Sequence, residues 1–269
     1  MDDPAALLAA YDEQLRTDAE TPSAIAVERL GPLRLVTFAG GRGFITYQDL
    51  GGADADAIRA LSAQALAHYE ADEQITRVEW KTRGHDHAPG LHEALLDQGF
   101  VAEETESIMI GEAQALAVDV ELPEGVKVRR IFEEADVRAM SAMQAEAFGD
   151  SESEAEEKSE ALLRRLALDE AMQLWVGEAE GRVVTAGTLE PVPDTEFAGI
   201  WGGSTLEAWR GRGIYRALTA ARARSAIELG KSFIHSDSTE YSRPILERSG
   251  LLKVSTTTPY LWKRGATST

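Results

Sequence analysis

The sequence contains no cysteine, which removes disulfides, thiolate metal ligands and a cysteine nucleophile from consideration. It is also short of positive charge. Against 46 Asp and Glu stand 27 Lys and Arg in 269 residues, a formal net charge of -19. A surface of that sign repels nucleic acid and anionic membranes, so neither is expected as a partner. It draws cationic small molecules or basic peptides, although acidity by itself also serves solubility. No apolar run approaches the ~20 residues that cross a bilayer. The opening Met1-Asp2-Asp3-Pro4 has no basic segment ahead of an apolar core, so no secretory signal is expected and the chain reads as cytoplasmic. Its length allows two domains with their own cores.

Taken in order, the chain begins with a helical pattern over residues 3–16, with Asp2 or Asp3 as cap and Leu7, Leu8, Tyr11 and Leu15 on one face. Strand-like runs follow at 24–28 and 33–38. The glycine cluster 40–43 leads into the β-like 44–47, so it reads as a hairpin turn and not as a phosphate loop. A helix over 54–70, a strand over 77–82, a helix over 90–98 and a strand over 106–111 complete the first part. His85, Asp86, His87 and His92 are close in sequence, but their spacing fixes no metal geometry, and a His-x-His in a polar loop reads as solvated. Residues 113–124 have the composition of a linker.

A second unit starts with a strand over 126–131 and two helices, 133–147 and 153–169. The six acids between 150 and 160 read as a solvated face that favours a helix amino end. Three strands, 172–179, 182–190 and 196–206, then alternate like hairpins. After them come a helix from Ile214 to near Gly230, a strand 232–237, a short helix from Ser242 to Gly250, and two closing strands, 251–255 and 258–263. The two parts share an ending: Leu95-Leu96-Asp97-Gln98-Gly99-Phe100 lines up with Leu246-Glu247-Arg248-Ser249-Gly250-Leu251. That order of elements points to a tandem repeat.

The chemistry concentrates in Trp209-Arg210-Gly211-Arg212-Gly213-Ile214-Tyr215-Arg216-Ala217-Leu218. Strand, Gly/Arg turn and helix together aim unpaired backbone N–H groups and a helix amino end at an anion. Gly211 and Gly213 let the backbone approach a phosphate, and Arg210, Arg212 and Arg216 supply positive charge in an acidic chain. The stretch reads as a pyrophosphate cradle.

In element order and in this loop, residues 126–264 resemble the GNAT superfamily, the acetyl-CoA-dependent N-acetyltransferases. The family signature Arg/Gln-x-x-Gly-x-Gly/Ala is met at Arg210 and Gly213, and departed from at Tyr215, where a small residue is usual. The fold implied is α+β (mixed α/β): two GNAT-like units, each a central mixed, mostly antiparallel sheet flanked by helices. Residues 1–118 would be a degenerate, truncated copy and 119–269 the acetyltransferase domain. Acetyl-CoA would be the cosubstrate, with no metal, and an amine attacks its thioester directly.

The resemblance implies that the backbone of Thr205 and Leu206 meets pantetheine. The N–H groups of Gly211, Arg212, Gly213, Ile214 and Tyr215 would hold the pyrophosphate, with Arg210, Arg212 and Arg216 neutralising it. The family's usual acid, a tyrosine four residues before the glycine of the short helix, is Leu246 here, which leaves Tyr241 as a weak candidate. The family's glutamate position falls on Phe197, with Glu196 beside it. Glu190, Glu196, His235 and Asp237 stay open as bases, the last two on one face of their strand. The acceptor is an amine of a small molecule or peptide, and acidity leans towards polyamines, aminoglycosides or basic peptides. A non-catalytic acyl-CoA sensor is the alternative.

Overall fold

The computed structural model describes residues 3–265. The chain forms two compact units. The first runs through Met109 and includes Asp237–Arg243 and the segment from Lys253; the second is Ile110–Ser236 with Pro244–Leu252.

In the first unit, helix α1 (Pro4–Gln14) is started by Asp3, whose carboxylate accepts from the Ala5 N–H at 3.0 Å. Asp2, the other expected cap, lies outside the described residues. Leu7, Tyr11 and Leu15 are buried and Leu8 half-buried, the face predicted from spacing. Strands β1 (Ala26–Leu30), β2 (Leu33–Phe38) and β3 (Arg42–Tyr47) form an antiparallel meander. The β2–β3 turn needs glycine at Gly41: φ is +70°, and a Cβ there would lie 2.2 Å from the Gln74 carbonyl oxygen. Helix α2 (Ala55–Glu70) follows, then β4 (Arg77–Arg83), parallel to β3, and α3 (Leu91–Asp97). Leu33, Ile45, Ile58, Tyr69, Trp80 and Leu95 make the centre of the core. A short β5 (Val101–Ala102) comes next, and β6 (Glu106–Glu112) carries the chain from the first unit to the second.

The second unit opens with α4 (Ala113–Leu116), where a linker was expected. Ala113 and Leu116 are buried, and burial of those two side chains turns the first part of this stretch into a helix. Strand β7 (Lys127–Ile131) and helices α5 (Glu134–Phe148) and α6 (Glu152–Leu168) follow, α6 begun by a capping box of Ser151 and Glu154. Strands β8 (Gln173–Ala179), β9 (Arg182–Pro191) and β10 (Phe197–Thr205) continue the antiparallel order from β7. Helix α7 (Ile214–Glu228) crosses to β11 (Phe233–Ser238), which runs parallel to β10. Helix α8 (Arg243–Ser249) precedes the last strand. Both units thus repeat one order: three antiparallel strands, a helix, a parallel strand and a seven-residue helix. The helix ends match as well, since Phe100 N–H donates to the Leu95 carbonyl at 3.0 Å and Leu251 N–H to Leu246 at 3.1 Å.

The expected pair of closing strands is one strand, β12 (Leu252–Lys263). Thr256, Thr257 and Thr258 are β-branched and extended. In the first unit β12 pairs with β4 from Thr257↔Arg83 to Lys263↔Arg77, and with β5 on its other side.

The ladder between β3 and β4 ends at Ile45↔Trp80. Beyond it Glu20 occupies the gap, accepting from Thr46 Oγ1 at 2.7 Å and pairing with Arg83, whose Nε donates to the Tyr11 hydroxyl at 3.1 Å. Burial alone would push the Glu20 carboxyl up, but the Arg83 and Lys81 charges and the Thr46 bond hold it below its ordinary value. Its contribution to stability is therefore present above the unfolded carboxyl value and is lost as pH falls through the folded one. Arg83→Met strands the carboxylate and is expected to cost about 3–5 kcal/mol in urea unfolding at neutral pH. Its fall in stability on acidification should be shallower than that of the parent protein.

Candidate functional site

Strand β10 is held differently along its two edges. Towards β9 it pairs nearly throughout, from Ala198↔Pro191 to Thr205↔Thr185, with a register shift between Trp201 and Ser204. Gly202, at φ +60°, sits inside that shift, and its carbonyl accepts from Gln144 Nε2 at 2.7 Å. Towards β11 the ladder covers Phe197–Gly199 against Phe233–His235, after which Ser236 Oγ takes the Ile200 carbonyl at 2.9 Å. Past that point the far half of β10 has no ladder partner on the β11 side among the described residues.

Alternation decides which backbone groups face the open edge. Leu206 N–H donates to the Val184 carbonyl at 3.0 Å, and its own carbonyl accepts from Trp209 N–H at 2.8 Å. Leu206 is therefore directed at β9. Its neighbour Thr205 faces the other way, and Gly203 lies within the register shift, without a β9 ladder partner among the described residues. The Thr205 carbonyl accepts from Arg210 Nε at 2.9 Å, which ties the first loop arginine back to the strand end.

A single 3-10 turn, Glu207–Trp209, leads into the loop. Gly211 and Gly213 have φ of +72° and +79°, a region that L side chains enter only with strain. Gly213 is the N-cap of α7, and no side chain caps it. The N–H groups of the first turn are thus left to solvent, at the positive end of the helix dipole. Arg210, Arg212 and Arg216 are exposed around them, with Arg212 stacked 4.7 Å over the Trp209 ring. Ile214 is buried and anchors the turn in the core. Tyr215 lies beside Gly203, where an added Cβ would fall 2.4 Å from its hydroxyl.

The residues weighed for proton transfer separate. His235 is buried, edge-on to Trp201 and Phe197 at centroid distances of 5.3 and 5.9 Å, where the β10–β11 ladder ends. Glu196 is exposed ahead of β10. Glu190 accepts from Arg165 at 2.7 Å. Asp237 follows His235 by two on β11 but lies in the first unit, paired with Lys81 at 2.7 Å. Tyr241 is 86% exposed, whereas Leu246 is 2% exposed. The equivalence of Leu246 with Leu95 at matching helix ends explains its place in the core.

The first unit treats its corresponding loop in the opposite way. Gly51 and Gly52 also have positive φ before α2. There, however, the Asp54 carboxylate accepts from Ala57 N–H at 2.9 Å and the Asp49 carboxylate from Gly51 N–H at 2.6 Å. Two carboxylates thus take backbone donors ahead of this helix. The histidines of this unit serve contacts of their own: His85 with Asp12 at 3.1 Å and Ser255 at 2.7 Å, and His92 with the Tyr260 hydroxyl at 2.7 Å. In the second unit, acids of the 150–160 run pair with cations: Asp150 with Lys158 at 2.5 Å, and Glu160 with Arg138 at 2.7 Å.

Comparison with known proteins agrees with this geometry. Residues 137–250 match the model of the acetyltransferase (GNAT) family. A GCN5-related N-acetyltransferase from Kribbella flavida superposes over 99% of this chain and 97% of its own, with a TM-score of 0.66 at 16% identity. A tandem GNAT protein from the clavulanic acid biosynthesis pathway covers 98% of this chain and 97% of its own (TM-score 0.64, 13% identity). A functionally unknown conserved protein from Staphylococcus epidermidis ATCC 12228 matches over 92% and 97% (TM-score 0.67, 12% identity). No curated protein is significantly similar in sequence. The fold is that of the GNAT acetyltransferases.

The closeness of Gly203 to Tyr215 yields a test of the packing. Gly203→Ala must displace the tyrosine and is expected to cost about 1–3 kcal/mol by overpacking, read from the urea midpoint. Paired with Tyr215→Ala, most of that cost should disappear.

Proposed function

We propose that, on this acetyltransferase fold, the chain transfers the acetyl group of acetyl-CoA to a primary amine of a small molecule or peptide by direct attack. The observation that carries this reading is the uncapped amino end of α7, set by Gly211 and Gly213 beside the open edge of β10. Gly211, Arg212 and Gly213 are exposed, so this stretch of backbone is open to solvent. The N–H groups from Gly211 to Arg216 hold the pyrophosphate, and Arg210, Arg212 and Arg216 neutralise it. Pantetheine pairs with the backbone of Gly203 and Thr205, with Leu206 contributing a buried apolar wall.

Holding amine and thioester together supplies the main acceleration; for well-oriented reactants it is worth about 7–11 kcal/mol. The amine arrives as an ammonium of ordinary pKa ~10 and must lose a proton first. His235 is the base in this reading. It stands where the strands part, while Asp237 is engaged with Lys81 and Glu196 is exposed. Residues 119–269 act as the catalytic domain. Residues 1–118 are a degenerate copy without a CoA site, a reading supported by the repeated element order and by the carboxylates at its loop. A second reading, an acyl-CoA sensor without turnover, draws support from the buried Leu246 at the family's tyrosine position.

Calorimetry with acetyl-CoA should give saturable binding, and Gly213→Val should abolish it, because a β-branched residue at φ +79° carries strain of about 1–3 kcal/mol and distorts the cradle. Unchanged affinity in that variant removes the loop from the site. Thiol release across a panel of amines separates enzyme from sensor. His235→Gln should lower turnover by roughly 10²-fold or more while acetyl-CoA still binds; an equal loss in Glu196→Gln instead would move the base there.

A further inference from the structure

The acetyl-transfer reading leaves the departing sulfur without a proton donor, since the family's tyrosine position is a buried leucine. Another tyrosine stands close to the reacting strand. Tyr215 is the second residue of α7, and an added Cβ on Gly203 would lie 2.4 Å from its hydroxyl and 2.8 Å from its ring. The hydroxyl therefore rests against β10 at its register shift, past the end of the β10–β11 ladder and beside the strip along which a thioester would lie.

Behind it is Arg222, seven residues on along α7 and fully buried. Its Cζ is 5.9 Å from the Tyr215 ring centroid. Nη1 donates to the Thr188 carbonyl at 3.1 Å and Nη2 to Thr219 Oγ1 at 3.3 Å, while Nε has no hydrogen-bond partner among the described residues. Gly187 makes room for the guanidinium, because a Cβ there would sit 2.5 Å from Nη1. No carboxylate pairs with this cation among the described residues. Burial opposes its charge. A buried cation without a counter-ion is costly. An anion formed at Tyr215 would relieve that cost.

The two sides of the sheet divide the work. Gly187 faces Arg222 on the α7 side, so Thr188 and its partner Trp201 face the opposite side, where Trp201 packs against His235. A base for the amine and a donor for the sulfur thus lie on opposite sides of β10.

We infer that Tyr215 is the proton donor to the departing CoA thiolate, with the buried Arg222 beside its ring as the positioning residue that stabilises the phenolate. The inference rests on the acetyl-transfer reading. The amine nitrogen bonds to the acetyl carbon and gives its proton to the base. The C–S bond breaks, and its electron pair takes the Tyr215 hydroxyl proton, leaving free thiol. The phenolate regains a proton from solvent.

The test compares the parent protein with Tyr215→Phe, with 3,5-difluorotyrosine at position 215, and with Arg222→Met. Each is followed by acetyl-CoA calorimetry and by the pH profile of kcat in thiol release. Tyr215→Phe should keep its acetyl-CoA affinity, lose about 10²-fold in kcat and lose the alkaline fall of the profile. The more acidic difluorotyrosine should keep activity and move that fall to lower pH, whereas Arg222→Met should lower kcat while acetyl-CoA affinity is kept. If Arg222→Met does not fold, the difluorotyrosine profile decides. Full kcat in Tyr215→Phe, or an alkaline limb that fluorination leaves in place, overturns the donor while acetyl transfer stands. A parent protein that binds no acetyl-CoA overturns both.

Discussion

The first turn of α7 carries backbone donors that no capping side chain satisfies, and the second unit is arranged to hold that turn at the end of β10. Ala217, Ala220, Ala223 and Ala226 are all buried along the helix, and small side chains allow close approach to the strands. Ile214 pins the first turn into the core, and Arg224 donates to the Val118 carbonyl at 2.9 Å, securing the helix from the segment after α4. A helix amino end fixed so firmly cannot turn its donors inward. The favourable interaction with an anion there is about 0.3–1 kcal/mol when exposed and up to ~2 when partly buried. Three arginines around it reverse the sign that dominates the rest of the chain.

The first unit shows what happens when the same order of elements takes the opposite electrostatic choice. Its loop before α2 has two glycines in the left-handed region, yet Asp49 and Asp54 have taken N–H groups that would otherwise be free. The gap past the end of its β3–β4 ladder is filled as well, by Glu20 bridging Thr46 and Arg83 and by Arg16 donating to the Tyr47 carbonyl at 3.1 Å. A carboxylate cap stabilises a helix by about 1 kcal/mol relative to alanine, and it excludes phosphate by like charge. The same order of elements therefore carries carboxylates at one helix amino end and arginines at the other.

Much of this was legible in the sequence, because the signals were local. Asp3 ahead of the first helix, glycines between two β-like runs, and Gly-Arg-Gly between strand and helix each act within a few residues of themselves. What stayed hidden depends on distant partners. Asp237 reads as an available carboxylate until Lys81, 156 positions earlier, is found 2.7 Å away. The break expected near residue 256 is absent where distant residues pair with it: Gly84 N–H donates to the Thr256 carbonyl at 2.8 Å, and the β4 ladder begins at Thr257. The Thr205–Leu206 alternation was unreadable for another reason: the register shift at Gly202 moves the count by a step that no periodicity announces. Tyr215 stood out only as a departure from a pattern, since its contact is with a glycine twelve residues earlier in the strand.

That strand is the least strand-like in its unit by composition, with Gly199, Gly202 and Gly203 among nine residues. Each interior glycine costs about 0.5–1 kcal/mol relative to alanine, and here two of the missing side chains are replaced by another residue's ring. A Cβ on Gly199 would lie 2.5 Å from the Trp201 indole nitrogen, and one on Gly203 would meet Tyr215. Gly202 carries the register shift and presents its carbonyl to Gln144. Pairing with β9 and the buried Phe197, Ala198 and Ile200 keep the strand in place despite this. Local preference is broken from the last ladder pair, Gly199↔His235, onward through Gly202 and Gly203, which is where a functional constraint would override it. Gly199 and Gly203 fix how near an aromatic ring can come to the backbone, so these two residues set the shape of the surface on each side of β10.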